Sequence, residues 1–157
     1  MKNHNFNIYN NLIKLTRNKL LFQKLNIQDS FYDRMIVFFI HFAFFLKIYK
    51  KDENKQYLQK LYDFVFNQID ISLQEAGHGD TTINKKMKNY VSIFHSIIKK
   101  VDYWESLKND EKTNFFSTFF EHSIESSYFV VYFEKYRNFL TNNTLNYFTK
   151  GVINHKF

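Results

Sequence analysis

The residues of this chain that could perform acid–base chemistry lie closest together in the stretch Leu73-Gln-Glu-Ala-Gly-His-Gly-Asp80. Glu75 and Asp80 could act as a general acid and a general base if burial drove their pKa values apart. No nucleophile, phosphate-binding glycine loop or complete set of metal ligands accompanies this pair. The pattern therefore favours a protein that is not an enzyme, in which Asp80 caps a helix and Glu75 pairs with a neighbouring lysine.

Metal and cofactor chemistry is disfavoured by the ligand types. The chain has six histidines and no cysteine, so thiolate ligands and disulfides are excluded. Only His78 and Asp80 stand close together, and two donors are too few for a metal site. His41 lies inside an apolar run, where a single histidine is usually a hydrogen-bonded core residue, with haem ligation as the less favoured alternative. We predict no metal site and no cofactor.

Two of the three glycines predict the structural corner that positions these polar residues. Gly77 can adopt the left-handed conformation that ends a helix, and Gly79 follows it closely. Asp80, Thr81 or Thr82 can then accept hydrogen bonds from the free N–H groups of the next helix. The stretch therefore reads as a helix end, a tight corner and a new helix.

The first turns of that new helix carry Lys85, Lys86 and Lys88, where lysine opposes the helix dipole. Residues 81–108 hold six basic and two acidic side chains, and residues 1–28 hold five basic and none acidic. Such segments attract anionic lipid, nucleic acid or acidic protein, although a solvated surface is the plain alternative. Arginine, which makes bidentate contacts with bases, occurs only three times, which disfavours sequence-specific binding of nucleic acid.

Length and pattern predict one all-α domain over residues 1–157, because the chain has no proline and no flexible linker. The apolar run Met35–Leu46 is too short for the ~20 residues that span a bilayer. Apolar residues recur at spacings of three and four over residues 58–73 and 83–101. We predict a bundle of about six helices with a long apolar central helix, and frayed ends at residues 1–8 and 151–157.

The predicted element boundaries follow from these patterns and from cap residues. The first helix is predicted at about residues 5–25, and the second begins after Asp29 or Ser30 and reaches about residue 49. A third helix is predicted at residues 55–76. Asn109 and Asp110 are predicted to cap a later helix, which the region of residues 123–127 interrupts before a further helix that reaches about residue 140. The tail from residue 141 is predicted to hold one short helix.

The order of these segments, from about Tyr9 to Phe94, resembles the ubiquinol-cytochrome c chaperone family. The resemblance begins with Tyr9-Asn-Asn-Leu-Ile-Lys-Leu-Thr-Arg17 and Phe22, and continues with Asp33-Arg34 and the apolar helix that contains His41. The stretch from Leu73 to Asp80, followed by Lys85-Lys86-Met87-Lys88, resembles the family's Arg-Glu-x-Gly-x-Gly-Asp-like sequence and its lysine-rich helix. This chain departs from the family at Gln74, where an arginine is usual, and at Ile93-Phe94-His95-Ser96.

The resemblance implies a non-enzymatic chaperone and assembly factor that binds newly made cytochrome b and supports assembly of ubiquinol-cytochrome c reductase. The candidate client-binding residues are Gln74, Glu75, Asp80, Lys85, Lys86 and Lys88, beside the structural corner of Gly77 and Gly79. An anionic membrane surface and the ribosome are the other partners considered, and the oligomeric state stays open. The alternative is a basic helical module that binds RNA or the ribosome.

The expected location follows from the absence of a recognisable targeting segment at the N-terminus. We expect a cytoplasmic protein, peripheral on the inner membrane, if the source is bacterial. A eukaryotic source would place it in the mitochondrial matrix.

Overall fold

The computed structural model describes residues 2–24, 30–120 and 124–150, and these ranges form eight α-helices and no strand. The helices are α1 (Lys2–Thr16), α2 (Lys19–Lys24), α3 (Phe31–Ile48), α4 (Lys55–Glu75), α5 (Asp80–Asp102), α6 (Asn109–Phe119), α7 (Ser126–Asn142) and α8 (Leu145–Thr149). Short 3-10 helices lie at Asp52–Asn54 and Trp104–Ser106. The predicted all-α fold is confirmed, with more helices than the predicted six.

One of the additional helices arises because the first predicted helix is broken in two. The side-chain oxygen of Asn18 accepts a hydrogen bond from the backbone N–H of Leu20 at 3.0 Å, so Asn18 begins α2. Asparagine is among the best residues for this role, since its short side chain satisfies an otherwise free donor of the first turn. The apolar spacing of the segment did not reveal this break.

The predicted long apolar central helix is not confirmed in that form. The apolar run lies in α3, whose 18 residues are fewer than the 21 of α4 and the 23 of α5. Ser30 limits α3 at its start, because its hydroxyl oxygen accepts a hydrogen bond from the backbone N–H of Asp33 at 3.1 Å. The charged loop that follows Tyr49 limits it at its end.

Aromatic rings from α3, α4 and α5 form the centre of the core that holds these helices together. Helix α3 packs against α1, α5 and α7. The ring of Phe94 in α5 is fully buried, and its centroid lies 5.0 Å from Phe39, 5.3 Å from Phe42 and 5.5 Å from Phe66. Close ring pairs of this kind add about 0.5–1.5 kcal/mol beyond the burial of their surface.

The two ends of the described chain are joined to each other. The side-chain amide of Asn7 in α1 donates to the carbonyl of Thr149 in α8 at 2.8 Å, and Asn11 donates to the carbonyl of Phe148 at 3.1 Å. Ile8, which lies in the segment expected to fray, is fully buried in α1. Residues 151–157, expected to fray at the other end, lie outside the described residues.

The other predicted caps differ in their outcome. Ser30 caps α3 as predicted, whereas Asn109 and Asp110 lie inside α6 and Lys108 occupies its N-cap. The backbone N–H of Lys108 donates to the carboxylate of Glu111 at 3.1 Å. A side chain of the first helical turn therefore satisfies the free N–H of the N-cap residue. Residue 123 of the predicted interruption lies outside the described part of the chain. Helix α6 ends at Phe119, and α7 begins at Ser126.

Candidate functional site

Helix α4 ends at the glycine corner through backbone hydrogen bonds. Gly77 has a φ of +89°, which side chains with a Cβ rarely adopt. Its N–H donates to the carbonyl of Gln74 at 3.0 Å, and the N–H of His78 donates to the carbonyl of Leu73 at 3.2 Å. This pair of bonds is a Schellman motif, in which glycine follows the C-cap residue, here Ala76.

Helix α5 begins differently from the expectation for Asp80. Gly79 is its N-cap, with an extended backbone at φ −77° and ψ 162°, and no side chain forms a capping hydrogen bond there. Asp80 occupies the first turn, where its negative charge favours the positive end of the helix dipole. The carboxylate of Asp80 therefore stabilises the helix start by charge and not by the predicted cap.

The predicted client-binding residues surround this corner as a polar rim. Gln74, Glu75, Asp80, Lys85 and Lys88 are exposed, and Lys86 is half-buried. The amide of Gln74 donates to the carboxylate of Asp70 at 2.6 Å, one turn earlier on α4. In the part of the chain that the structure describes, no salt bridge joins Glu75 or Asp80 to the three lysines. The rim is a solvated set of charges, and its two carboxylates lack the burial that acid–base catalysis needs.

The helical spacing of α5 separates the three lysines into two positions. Lys85 and Lys88 are three residues apart and share the exposed face. Lys86 stands between Ile83 and Tyr90, which are both buried, so it borders the apolar side of the helix. Of the three lysines, Lys86 is therefore the one nearest to apolar surface.

An apolar groove lies between α1, α3 and α4, close in sequence to the polar rim. It has a volume of about 160 Å³ and includes Ser72, three residues before Glu75. Its lining residues are Tyr9, Ile13, Thr16, Arg17, Phe31, Arg34, Met35, Phe38, Ile69 and Ser72. We call these residues the client groove. Sequence patterns did not single it out as a site, because its members are spread over three helices.

Phe31 connects the client groove with α5. Its side chain is 44% exposed, and its ring centroid lies 6.3 Å from that of Tyr90. An exposed phenylalanine at the mouth of a groove offers apolar surface to a partner, since its burial would be favourable. The groove and the lysine-rich start of α5 thus share one end of the helical bundle.

A second cavity, of about 410 Å³, lies at the opposite ends of α3, α4 and α5. Three of its lining residues are lysines, including Lys47, and Asp102 lies on the same wall. Lys47 donates to the carbonyl of Val101 at 2.9 Å and forms an ion pair with Glu105. Because nearby carboxylates offset the lysines, this cavity is a weaker candidate than the client groove.

His41 belongs to the core and is not available as a ligand. It is fully buried, its Nδ1 lies 2.7 Å from the carbonyl oxygen of Val37, and its Nε2 lies 2.7 Å from the hydroxyl of Tyr132. A carbonyl only accepts, so Nδ1–H donates to it and Nε2 accepts from Tyr132. Burial lowers the pKa of His41 to about 4, which keeps the ring neutral near pH 7.

The described residues hold neither a membrane-spanning helix nor a metal-binding cluster. No helix there combines the length and apolar character needed to cross a membrane. The same residues contain no group of three or more His, Asp or Glu side chains arranged to hold a metal ion.

Both a family model and a solved structure match this chain. A model of the ubiquinol-cytochrome C chaperone family matches residues 23–112, more than half of the chain. The crystal structure of the Cbp3 homolog from Brucella abortus is similar, with a TM-score of 0.77 and 17% sequence identity over 96% of this chain and 89% of that chain. At this identity the likeness shows the fold alone, and a comparison with curated proteins found no match. The chain belongs to the ubiquinol-cytochrome C chaperone family, and this membership supports a chaperone role in the assembly of ubiquinol-cytochrome c reductase.

Proposed function

We propose that this protein binds newly made cytochrome b and holds it until it joins ubiquinol-cytochrome c reductase, without catalysing a reaction. The observation that carries the proposal is the client groove with the partly exposed Phe31 at its mouth, beside the polar rim. Most of the groove and the whole rim lie in or next to the region that matches the family, residues 23–112.

The chemistry of such a client suits this arrangement. A membrane protein awaiting assembly exposes apolar helices joined by polar loops. An apolar groove receives part of a helix, while a rim with both charge signs contacts the neighbouring loop. The rim adds specificity more than affinity, because exposed ion pairs are each worth about 0–1 kcal/mol.

Site-specific photocrosslinking tests the proposal. A photoreactive residue at position 31 or 86 should capture cytochrome b during its synthesis, whereas the same residue at position 60, an exposed site on α4 outside the groove, should not. A deletion strain should assemble less ubiquinol-cytochrome c reductase. Absence of cytochrome b from the crosslinks at positions 31 and 86, together with normal assembly in the deletion strain, would reject the proposal.

The alternative function, binding of RNA or the ribosome, has one structural observation in its favour. Residues 81–101 contain no acidic side chain, and Lys85, Lys88, Lys99 and Lys100 are exposed on α5. If RNA binds through these lysines, the logarithm of the binding constant should fall linearly with the logarithm of the salt concentration. Failure to retain RNA or ribosomes at low salt would remove this alternative.

We also propose a peripheral location at the membrane in which the client resides, which is the bacterial inner membrane or the mitochondrial inner membrane facing the matrix. The exposed lysines of α5 support it, since each adds about 1 kcal/mol near an anionic leaflet. Flotation with vesicles that contain anionic lipid tests it, and the bound fraction should fall at high salt. Equal flotation with neutral vesicles would contradict this electrostatic attraction.

A further inference from the structure

The second cavity is a cleft lined by α4, α5 and the end of α3, and it shares no lining residue with the client groove. Along α4 its lining extends from Lys55 to Tyr62, and along α5 from His95 to Asp102. Each stretch rises about 10 Å along its helix axis. The lining residues, which we call the α4–α5 cleft, are Ala43, Leu46, Lys47, Lys50, Lys55, Leu58, Gln59, Tyr62, His95, Ile98 and Asp102.

The polarity of this cleft changes from one end to the other, in the same direction on each helix. The charged residues lie at one end, since Lys50 follows the last residues of α3, Lys55 begins α4 and Asp102 ends α5. The aliphatic lining residues lie closer to the middle of these helices: Ala43, Leu46, Leu58 and Ile98. A ligand that enters from the charged end therefore passes from a polar to an apolar environment.

A contact between the two walls closes the far end of the cleft. The hydroxyl of Tyr62 on α4 lies 3.1 Å from Nε2 of His95 on α5, and the two ring centroids lie 6.0 Å apart. Both residues are seven positions away from the charged end of their own wall. The apolar part of the cleft therefore has a limited depth.

The charged groups at the open end leave a positive excess. Glu105 forms an ion pair with Lys47, and Asp102 is the one carboxylate among the described lining residues. Lys50 and Lys55 form no ion pair within the described ranges of the chain. The three lysines and these two carboxylates together leave one positive charge. This excess complements a single monovalent anionic group.

We propose that the α4–α5 cleft binds a fatty-acid anion. Its carboxylate lies between Lys50 and Lys55, and its alkyl chain lies along Leu58 and Ile98. The two lysines attract the carboxylate, while each methylene group that leaves water adds to the binding free energy. The proposal goes beyond the chaperone function, because its ligand and its residues differ from those of the client groove.

A fatty acid fits this cleft better than an extended peptide. A peptide in extended conformation brings an N–H and a C=O group with almost every residue, and buried groups of this kind need partners. The lining away from the charged end offers few polar groups, namely Gln59 and the pair Tyr62 and His95. A fatty acid is polar at one end only, as the cleft is.

Displacement of dansyl-labelled undecanoate from the purified full chain tests the proposal. Decanoate should displace this fluorescent probe at a concentration about tenfold lower than decyltrimethylammonium, which has the same chain length and the opposite charge. Equal displacement by the two compounds, or absence of probe binding, would overturn the proposal.

The length of the alkyl chain gives a second readout. From hexanoate to octanoate, each added methylene should strengthen binding about fourfold, because it is buried in the cleft. The gain should level off for chains that are longer than the cleft. A gain that continues unchanged to myristate would indicate adsorption to an open surface and would overturn a cleft of limited depth.

Variants locate the binding in the cleft. Lys50→Gln combined with Lys55→Gln should weaken decanoate binding about fivefold and remove most of the discrimination by charge. Lys60→Gln combined with Lys135→Gln is the matched control, because it removes the same charge at exposed positions outside the lining. Thermal melts check that both proteins are folded. Equal binding of decanoate by the two would overturn the assignment of the carboxylate.

A blocking variant and a change of headgroup complete the test. Gln59 is exposed on the α4 wall, so Gln59→Trp should place a ring in the cleft and weaken probe binding about tenfold without unfolding the protein. Unchanged probe binding by a folded Gln59→Trp would overturn the location. Displacement by decyl phosphate but not by decanoate would overturn the fatty acid in favour of a phosphate headgroup.

Discussion

At the scale of single residues, hydrogen bonds of buried polar groups fix how the aromatic side chains of the core are arranged. Tyr132 donates to His41, and the hydroxyl of Tyr136 donates to the backbone carbonyl of His41 at 2.9 Å. Tyr49 donates to the carbonyl of Leu140 at 2.9 Å in the same way. Buried hydroxyls without partners would each cost about 1–3 kcal/mol, so these bonds favour a single arrangement of α3 against α7.

His41 should make the stability of the protein depend on pH. Its folded-state pKa, about 4, lies below the unfolded value of 6.5. Between these values only the unfolded chain takes up the proton, so the free energy of unfolding should fall as pH drops from 6.5 to 4, by about 3 kcal/mol in total. Chemical denaturation at several pH values should show a shallower fall for His41→Phe than for the wild type.

The control for that experiment is Val131→Ala, because Val131 is exposed and carries no titratable group. It should keep the wild-type dependence on pH. Identical slopes in the wild type and His41→Phe would contradict the assignment of a buried neutral imidazole.

Gly77→Ala should destabilise the protein by about 1 kcal/mol, since alanine at a φ of +89° is strained even though no atom lies within 4 Å of the added Cβ. Gly79→Ala is the matched control and should be nearly neutral, because its φ of −77° suits any residue. Urea unfolding of both variants measures the difference. Equal stability of the two would argue against a left-handed corner.

The glycine corner could be predicted from the sequence and the groove could not, for a physical reason. Gly77 and His78 act within a few residues of each other, so their pattern is visible locally. Arg17, Phe31 and Ser72 meet only after α1, α3 and α4 have packed. Such convergence depends on helix crossing and not on spacing along the chain.

At the scale of elements, the ring cluster around Phe94 should dominate the packing of α5 against α3 and α4. Phe94→Ala should lower the free energy of unfolding by about 3–5 kcal/mol, because it removes a fully buried ring and leaves a cavity. Tyr103→Ala, at a side chain 65% exposed, should change it by no more than about 0.5 kcal/mol. Equal losses in the two variants, measured by urea denaturation, would contradict this view of the core.

The helices themselves were predictable to different degrees. The strong periodicity of α4 and α5 predicted both, and the predicted range 55–76 of the former compares with an observed helix at Lys55–Glu75. The break between α1 and α2 depends on one side-chain bond of Asn18, which competes with continued helix and leaves the apolar pattern intact. The start of α6 was missed because the N-cap residue, Lys108, has no side-chain acceptor, and the carboxylate of Glu111 accepts from its backbone N–H instead.

At the scale of the whole molecule, the cavities and charged groups described above lie at two opposite ends of the helical bundle. One end carries the glycine corner, the polar rim and the client groove. At the other end an ion pair joins Lys47 to Glu105, and Arg137 lies 3.5 Å from the same carboxylate. At the first end the charges of the rim are mostly exposed, and the groove lies beside them.

The most direct measurement of the central claim is capture of newly made cytochrome b by tagged protein in a translation reaction with membranes. The wild type and Val131→Asp, which alters an exposed apolar side chain on α7, should retain cytochrome b equally. Phe31→Asp should reduce retention of cytochrome b about tenfold, because the variant loses the apolar surface that the phenylalanine ring would bury against the client. Equal retention by all three proteins, or none by the wild type, would contradict the account.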